Sequence, residues 1–128
     1  MAIPPVFVFG SNLAGRHGKG AALWAKQNRG AVTGQGEGRQ GFSYAIPTKD
    51  ENLKTLPLTS IRVGVDRFLE YAADHPELTF DLTPVGCGLA GYRPSAIAPM
   101  FAAATPNVCM PPEFDEPLRA FFRRDAKL

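Results

Sequence analysis

VFVFGSNLAGRHGKGAALWAKQN, residues 6–28, places an apolar run, a glycine-rich loop and a helical stretch in direct succession. The run at 6–10 is continuously apolar and rich in β-branched and aromatic residues, the pattern of a strand buried on both faces. Loop residues follow from Ser11 to Lys19. Over 20–28 the spacing of Leu23, Trp24 and Gln27 predicts a short helix, with Gly30 as its stop. A doubly buried strand leading straight into a helix is the building unit of α/β folds, and the rest of the chain extends it.

Downstream, FSYAI at 42–46 alternates like a strand and ends at Pro47. Thr59 is a good N-cap for a helix over 60–74. In that helix Ile61, Val65, Phe68, Leu69 and Ala72 share one face, while Asp66 and Glu70 lie on the solvated side. His75 and Pro76 close it. Residues 78–85 read as the next strand, and 107–110 as a last short one. Between them, Ser95 caps a helix reaching Ala104, with Pro99 near its first turn and Ile97, Met100, Phe101 and Ala104 facing inward. Pro117 opens a closing helix that turns Leu118, Phe121 and Phe122 to the core. The polar stretch 30–41, with five glycines, reads as a mobile surface loop. Strands alternating with helices predict an α/β sandwich with mostly parallel strands.

The 128 residues are read as one domain, 1–128. Fourteen Lys and Arg against 12 Asp and Glu leave a net charge of +2, too near neutral for a general electrostatic nucleic-acid binder. Thirteen glycines and 12 prolines mark a folded chain with many shaped loops. No apolar run approaches the roughly 18 residues of a membrane span. The opening MAIPPVFVFGSN lacks the basic region and long apolar core of an export signal. Cys87 and Cys109 form no CxxC pair. A cytoplasmic chain with reduced thiols, no metal site and no cofactor is expected.

In parallel sheets, ligands bind outside the carboxyl ends of the strands. Three strands here run into Gly-rich or polar loops: GSNLAGRHGKG at 10–20, IPTKD at 46–50 and GCGLAGY at 86–92. Parallel strands bring these loops to one edge, which is the default site. Gly18 and Gly20 immediately precede a helix whose free N–H groups and positive dipole end attract phosphate. The loop Gly86–Tyr92 is a second backbone cradle, and two cradles suit a diphosphate. The alternative is that these glycines only satisfy tight turns.

Named phosphate motifs fail. After Gly10 to Gly15 the chain has Arg16 and His17 where a Walker loop needs Lys and Ser or Thr. Gly18 to Leu23 is GxGxxL, without the third glycine of a dinucleotide fingerprint. Ser11 and Asn12 stand at the end of the first strand, and the Asn12 carboxamide suits sugar hydroxyls or an Asx turn. Lys49 reads as electrophile, nucleophile, phosphate partner or solvated loop lysine. His17, near Arg16 and Lys19, reads as a phosphate or proton-transfer group or as a lone surface histidine. Cys87 lacks a base and a nucleophile elbow and reads as a small buried thiol. Tyr92 covers a ribose or base, or packs in the core.

These loops, in this order, resemble the macro domains. The shared features are the Asn-containing loop entering a Gly-x-Gly-x-Ala helix start, the IPTK strand end and the GCGL-x-G loop. The likeness spans about residues 5–108 and is nearest to terminal ADP-ribose glycohydrolase and to small phage or bacterial macro-like proteins. It implies a three-layer α/β/α sandwich with a mostly parallel mixed sheet that binds ADP-ribose. By this resemblance Asn12 contacts the distal ribose and Gly18, Lys19, Gly20 and Ala21 form the first diphosphate loop. Gly86, Cys87, Gly88, Leu89, Ala90, Gly91 and Tyr92 form the second. Lys49 stands in place of the lysine that attacks the ribose carbon. Where that branch carries an aspartate after GCGL, this chain has Ala90.

The leading expectation is therefore a cleft for ADP-ribose or a related NAD-derived nucleotide. In the catalytic version it hydrolyses ADP-ribose adducts on a macromolecule, or ADP-ribose phosphate, with Lys49 and Asn12 at the chemistry. In the alternative it is a reader without chemistry, favoured by Ala90. A basic-cleft RNA binder, built from Arg16, His17, Lys19, Arg29 and Arg39, is the third and least favoured reading, for want of net charge and a stacking motif.

Overall fold

The computed structural model describes residues 3–126. The strands are β1 (Val6–Asn12), β2 (Gly38–Gln40), β3 (Ser43–Lys49), β4 (Phe80–Leu82) and β5 (Val108–Cys109). The helices are α1 (Gly20–Asn28), α2 (Leu58–Asp74), α3 (Pro94–Ile97) and α4 (Asp115–Ala126). One five-stranded sheet has the order β2-β3-β1-β4-β5. β1 is parallel to both β3 and β4, β5 is parallel to β4, and only β2 runs antiparallel, against β3.

Helices flank both faces, and the alternation of side chains along the strands sorts them. Val6, Val8, Tyr44, Ile46, Phe80 and Leu82 point to one side, where they meet Ile61, Val65 and Phe68 of α2 and Phe101 and Phe114 from the later segments. Phe68 is at the centre of this core, its ring 5.1 Å from Tyr44 and 5.4 Å from Phe80. On the other side Phe9 and Ala45 meet Ala22 and Ala25 of α1, whose small side chains let the helix lie close to the sheet.

Several boundaries differ from the sequence reading. β3 runs through Pro47 to Lys49. Pro47 lies beyond Ala45, the last β3 residue in register with β2, so no ladder bond is demanded on that edge. α2 starts at Leu58 with Pro57 as its N-cap, so Thr59 is already helical, and Pro57 accepts from the Ser60 and Ile61 N–H groups. α3 starts at Pro94, which puts Ser95 inside it and Pro99 past its first turn. Lacking a donor there, the helix stops at Ile97 and tightens into a 3-10 turn, Ala98–Phe101, instead of reaching Ala104. β4 has three residues rather than eight, and α4 begins at Asp115, before Pro117.

The larger correction concerns 30–41, which is not a detached loop. It contains β2 and is tied to the loop after β1. The Gly34 N–H donates to the Gly15 carbonyl at 2.9 Å, and the Ser11 hydroxyl donates to the Gly36 carbonyl. Buried Gln40 accepts from the Val32 N–H at 2.7 Å and donates to the Gln35 carbonyl at 3.1 Å. Backbones touch where these segments cross: a Cβ on Gly15 would overlap Gly34, and one on Gly36 would overlap the Asn12 carbonyl. Glycine is required there by close approach.

Gly36→Ala is expected to lower unfolding stability by about 2–4 kcal/mol by prising the crossing apart, measured by urea denaturation. Gly34→Ala, where a Cβ meets nothing but φ is +93°, should cost only about 1 kcal/mol.

Candidate functional site

At the carboxyl ends of β1, β3 and β4 the molecule opens into a cleft of about 550 Å³. Gly10 lies where the three strands converge: a Cβ there would sit 3.4 Å from Thr48 Oγ1 and 3.6 Å from the Gly86 nitrogen. Ser11 and Asn12 of β1, Thr48 and Lys49 of β3, and Thr83 to Gly86 after β4 line the interior. The strand-end threonines are held by β1, Thr48 donating to the Ser11 carbonyl at 3.2 Å and Thr83 to the Val8 carbonyl at 2.7 Å.

One wall is the start of α1, with Gly18, Lys19, Gly20, Ala21 and Ala22 along the cleft. Its N-cap, Lys19, is extended (φ −148°, ψ 158°) and no side chain caps the helix. The first-turn N–H groups and the positive end of the helix dipole are thus free of a protein side-chain cap beside the cleft. A Cβ on Gly18 or Gly20 meets nothing within 4 Å.

The facing wall is the loop 86–92, from which Gly86, Gly88, Leu89 and Ala90 line the cleft. It folds on itself through Gly91 N–H to the Gly88 carbonyl at 3.0 Å and Tyr92 N–H to the Gly86 carbonyl at 2.8 Å. Gly86 adopts φ +79°, and a Cβ there would crowd Ile97 Cδ1 at 3.1 Å. Arg16, Lys19 and Lys49 line the cleft, and among the described residues no carboxylate does. None of these three cations has an ion-pair partner among the described residues. The cleft is a cationic pocket with backbone donors on one side and glycine backbone on the other.

Of the residues picked out from the sequence, Ser11, Asn12, Gly18, Lys19, Gly20, Ala21, Lys49, Gly86, Gly88, Leu89 and Ala90 meet here. Asn12 is 8% exposed, and its carboxamide is half committed: Nδ2 donates to the Arg16 carbonyl at 2.8 Å and Oδ1 accepts from the Arg16 N–H at 2.9 Å. That clamp shapes the loop and holds Arg16 at the cleft, leaving one N–H and one lone pair of Asn12 unspent. Lys49 is in register with Asn12 across a bulge.

Six expected residues are elsewhere. His17 is 2% exposed, its Nε2 3.1 Å from the Gln35 carbonyl and its ring edge-on to Phe9; it fastens 30–41 and does not line the cleft. Its Nδ1 is buried without a partner. Cys87 packs against the main core, where burial, and then the charge of Glu113, pushes its thiol up. Tyr92 also packs on the core and donates to the Leu56 carbonyl at 2.7 Å, so it does not cover the cleft. Gly91 turns the loop outside the lining. Arg29 stacks over Trp24, and Arg39 donates to the Gly41 carbonyl and the Tyr71 hydroxyl; neither lines the cleft.

Sequence reasoning did not single out Gly10 and Thr48 within the loops it placed at the site, passed over Ala22, Thr83, Pro84, Val85 and Leu53, and placed Arg16 only in the RNA-binding reading. Carrying each strand to its true end would have found most of them. Leu53 gave a weaker signal. It follows Asn52, the residue a turn would usually place in the left-handed region, yet φ is 63° at Leu53 itself. It is the sole non-glycine with positive φ among the described residues, a conformation that costs about 1–2 kcal/mol. Among the described residues no group of three or more His, Cys, Asp or Glu forms a metal site, and no helix is long and apolar enough to cross a membrane.

Compared with known proteins, the chain matches no family model, no curated protein and no solved structure.

The two thiols should separate chemically. With its pKa raised, Cys87 presents less thiolate at pH 8 than an ordinary cysteine, so exposed Cys109 should be alkylated by iodoacetamide first. Cys87 labelling should increase as pH is raised further, as read by peptide mass spectrometry.

Proposed function

We propose that the cleft binds ADP-ribose or a related NAD-derived nucleotide, with its diphosphate between the start of α1 and the loop 86–92. The observation that carries this reading is the pairing of an uncapped helix start with a facing glycine loop in a pocket lined by three cations and no carboxylate. Backbone N–H groups supply directed donors, the helix dipole favours negative charge, and the cations add long-range attraction. The volume of about 550 Å³ suits a ligand of nucleotide-sugar size. The parallel strands place the site where α/β sheets bind such ligands, and the arrangement is consistent with a compact macro-like domain.

In a catalytic version the neutral amine of Lys49 attacks the distal ribose carbon as the bond to the adduct breaks, and water then cleaves the lysine–ribose bond to release ADP-ribose; alternatively a water held beside Lys49 attacks directly. In either case the leaving atom takes up a proton. Such a proton donor contributes typically 10²–10⁴-fold. Ala90 and the carboxylate-free lining supply no acid for it, and His17 is locked away from the cleft. These residues favour the binding reading over turnover, with the ligand free or carried on an ADP-ribosylated macromolecule.

Calorimetric titration with ADP-ribose, with AMP and ribose phosphate as controls, tests the reading. Tight binding of ADP-ribose with little heat from the controls is expected. Gly88→Glu is the matched variant, because a Cβ there meets nothing within 4 Å and the residue lines the cleft. It should leave stability within about 0.5 kcal/mol while weakening binding more than about ten-fold by placing a carboxylate beside the diphosphate. No heat with ADP-ribose would sink the proposal. For turnover, Lys49→Ala is decisive: unchanged product formation from an ADP-ribosylated substrate would exclude the lysine mechanism.

A further inference from the structure

We propose that Leu53, facing the cleft together with Leu89, is the specificity-determining contact of the pocket, an assignment that rests on the nucleotide reading above. The two leucines grip the uncharged, carbon-rich part of a ligand whose anionic part lies between the α1 start and the loop 86–92.

Residues 50–54 form a tight turn. The Leu53 N–H donates to the Asp50 carbonyl at 3.1 Å and the Asp50 N–H to the Lys54 carbonyl at 2.7 Å. The Asp50 carboxylate fixes it further, accepting from the N–H groups of Asn52 at 2.8 Å and Lys54 at 3.0 Å. This is a type I turn followed by one left-handed residue, a position that glycine or asparagine ordinarily fills. Here it holds leucine, at φ 63°. An apolar side chain in a disfavoured backbone conformation is usually compensated by burial. Leu53 is not: it belongs to neither core cluster and remains 43% exposed. What it does touch is the cleft, close in sequence to Lys49.

Leu89, 71% exposed, lines the same cleft from the loop 86–92. The two loops are fastened to each other, Thr55 Oγ1 donating to the Ala90 carbonyl at 2.9 Å and the Tyr92 hydroxyl to the Leu56 carbonyl at 2.7 Å. The fold therefore sets the spacing of the two leucines. A bare anion has no surface for them. A nucleotide sugar offers the carbon face of a ribose or a base, and covering the leucines then removes apolar surface from water.

The test compares ADP-ribose with inorganic pyrophosphate on wild type, Leu53→Gly and Leu53→Asn, with melting temperatures of all three. Both variants should bind ADP-ribose about ten-fold more weakly and pyrophosphate within about two-fold of wild type. Leu53→Asn, which accepts the left-handed conformation, should melt about 2–4 °C above wild type. Equal losses for both probes, or unchanged ADP-ribose affinity, would overturn the proposal. So would Leu53→Asn melting below wild type, because the leucine would then be serving the fold. Wild type that binds pyrophosphate but ADP-ribose no more tightly would instead overturn the nucleotide reading, and this assignment with it.

Discussion

Everything in the molecule is arranged around β1, whose backbone is paired in parallel on both edges, with β3 on one side and β4 on the other. A strand so placed has no free edge, and both of its faces must be covered. Val6 and Val8 lie in the main core, and Phe9 lies under α1. Parallel pairing also forces the carboxyl ends of three strands to one place, because each must return through a crossover before pairing again. The cleft is the geometric result. Gly10, where a Cβ would come into van der Waals contact with both Thr48 and Gly86, marks the point of convergence.

Glycine-rich loops form two walls of the cleft, and neighbouring polar side chains hold those loops in place. Loops that expose N–H groups to a ligand must satisfy their remaining carbonyls internally. Asn12 and His17 do this work, one clamping Arg16 and the other meeting Gln35, while Ser11 meets Gly36. Tyr92 likewise serves the carbonyl of Leu56. Side chains that look like ligand groups in the sequence thus hold the loops that present the donors. The glycine crossing of Gly15 and Gly36 belongs to the same device, since it locks the entry into α1 against the segment 30–41.

Electrostatics and shape divide the cleft. The helix start and Arg16, Lys19 and Lys49 make its interior attractive to anions. Leu53 and Leu89 give it apolar surface, and at Leu53 that surface is kept at a backbone position that disfavours leucine. An anion site without apolar contact would accept any phosphate; the leucines are what would let it prefer one with a carbon skeleton attached.

By itself the sequence determined the alternation of strands and helices, the mostly parallel sheet and the glycine loops that bring the cleft together. These follow from local periodicity and from where chain reversals are affordable. The 9-residue span of α1 and the inward face of α2 were legible because apolar spacing is a local property. Tertiary structure alone decided what depends on partners distant in the chain. Pro47 stays in β3 because β2 ends short of it, and 30–41 is tied down because its backbone meets the loop after β1. His17, Cys87 and Tyr92 turn inward because carbonyls and core atoms contributed by other segments await them there. A side chain's neighbours across the fold are not written in its own stretch of sequence, and those neighbours settle whether it serves the ligand or the fold.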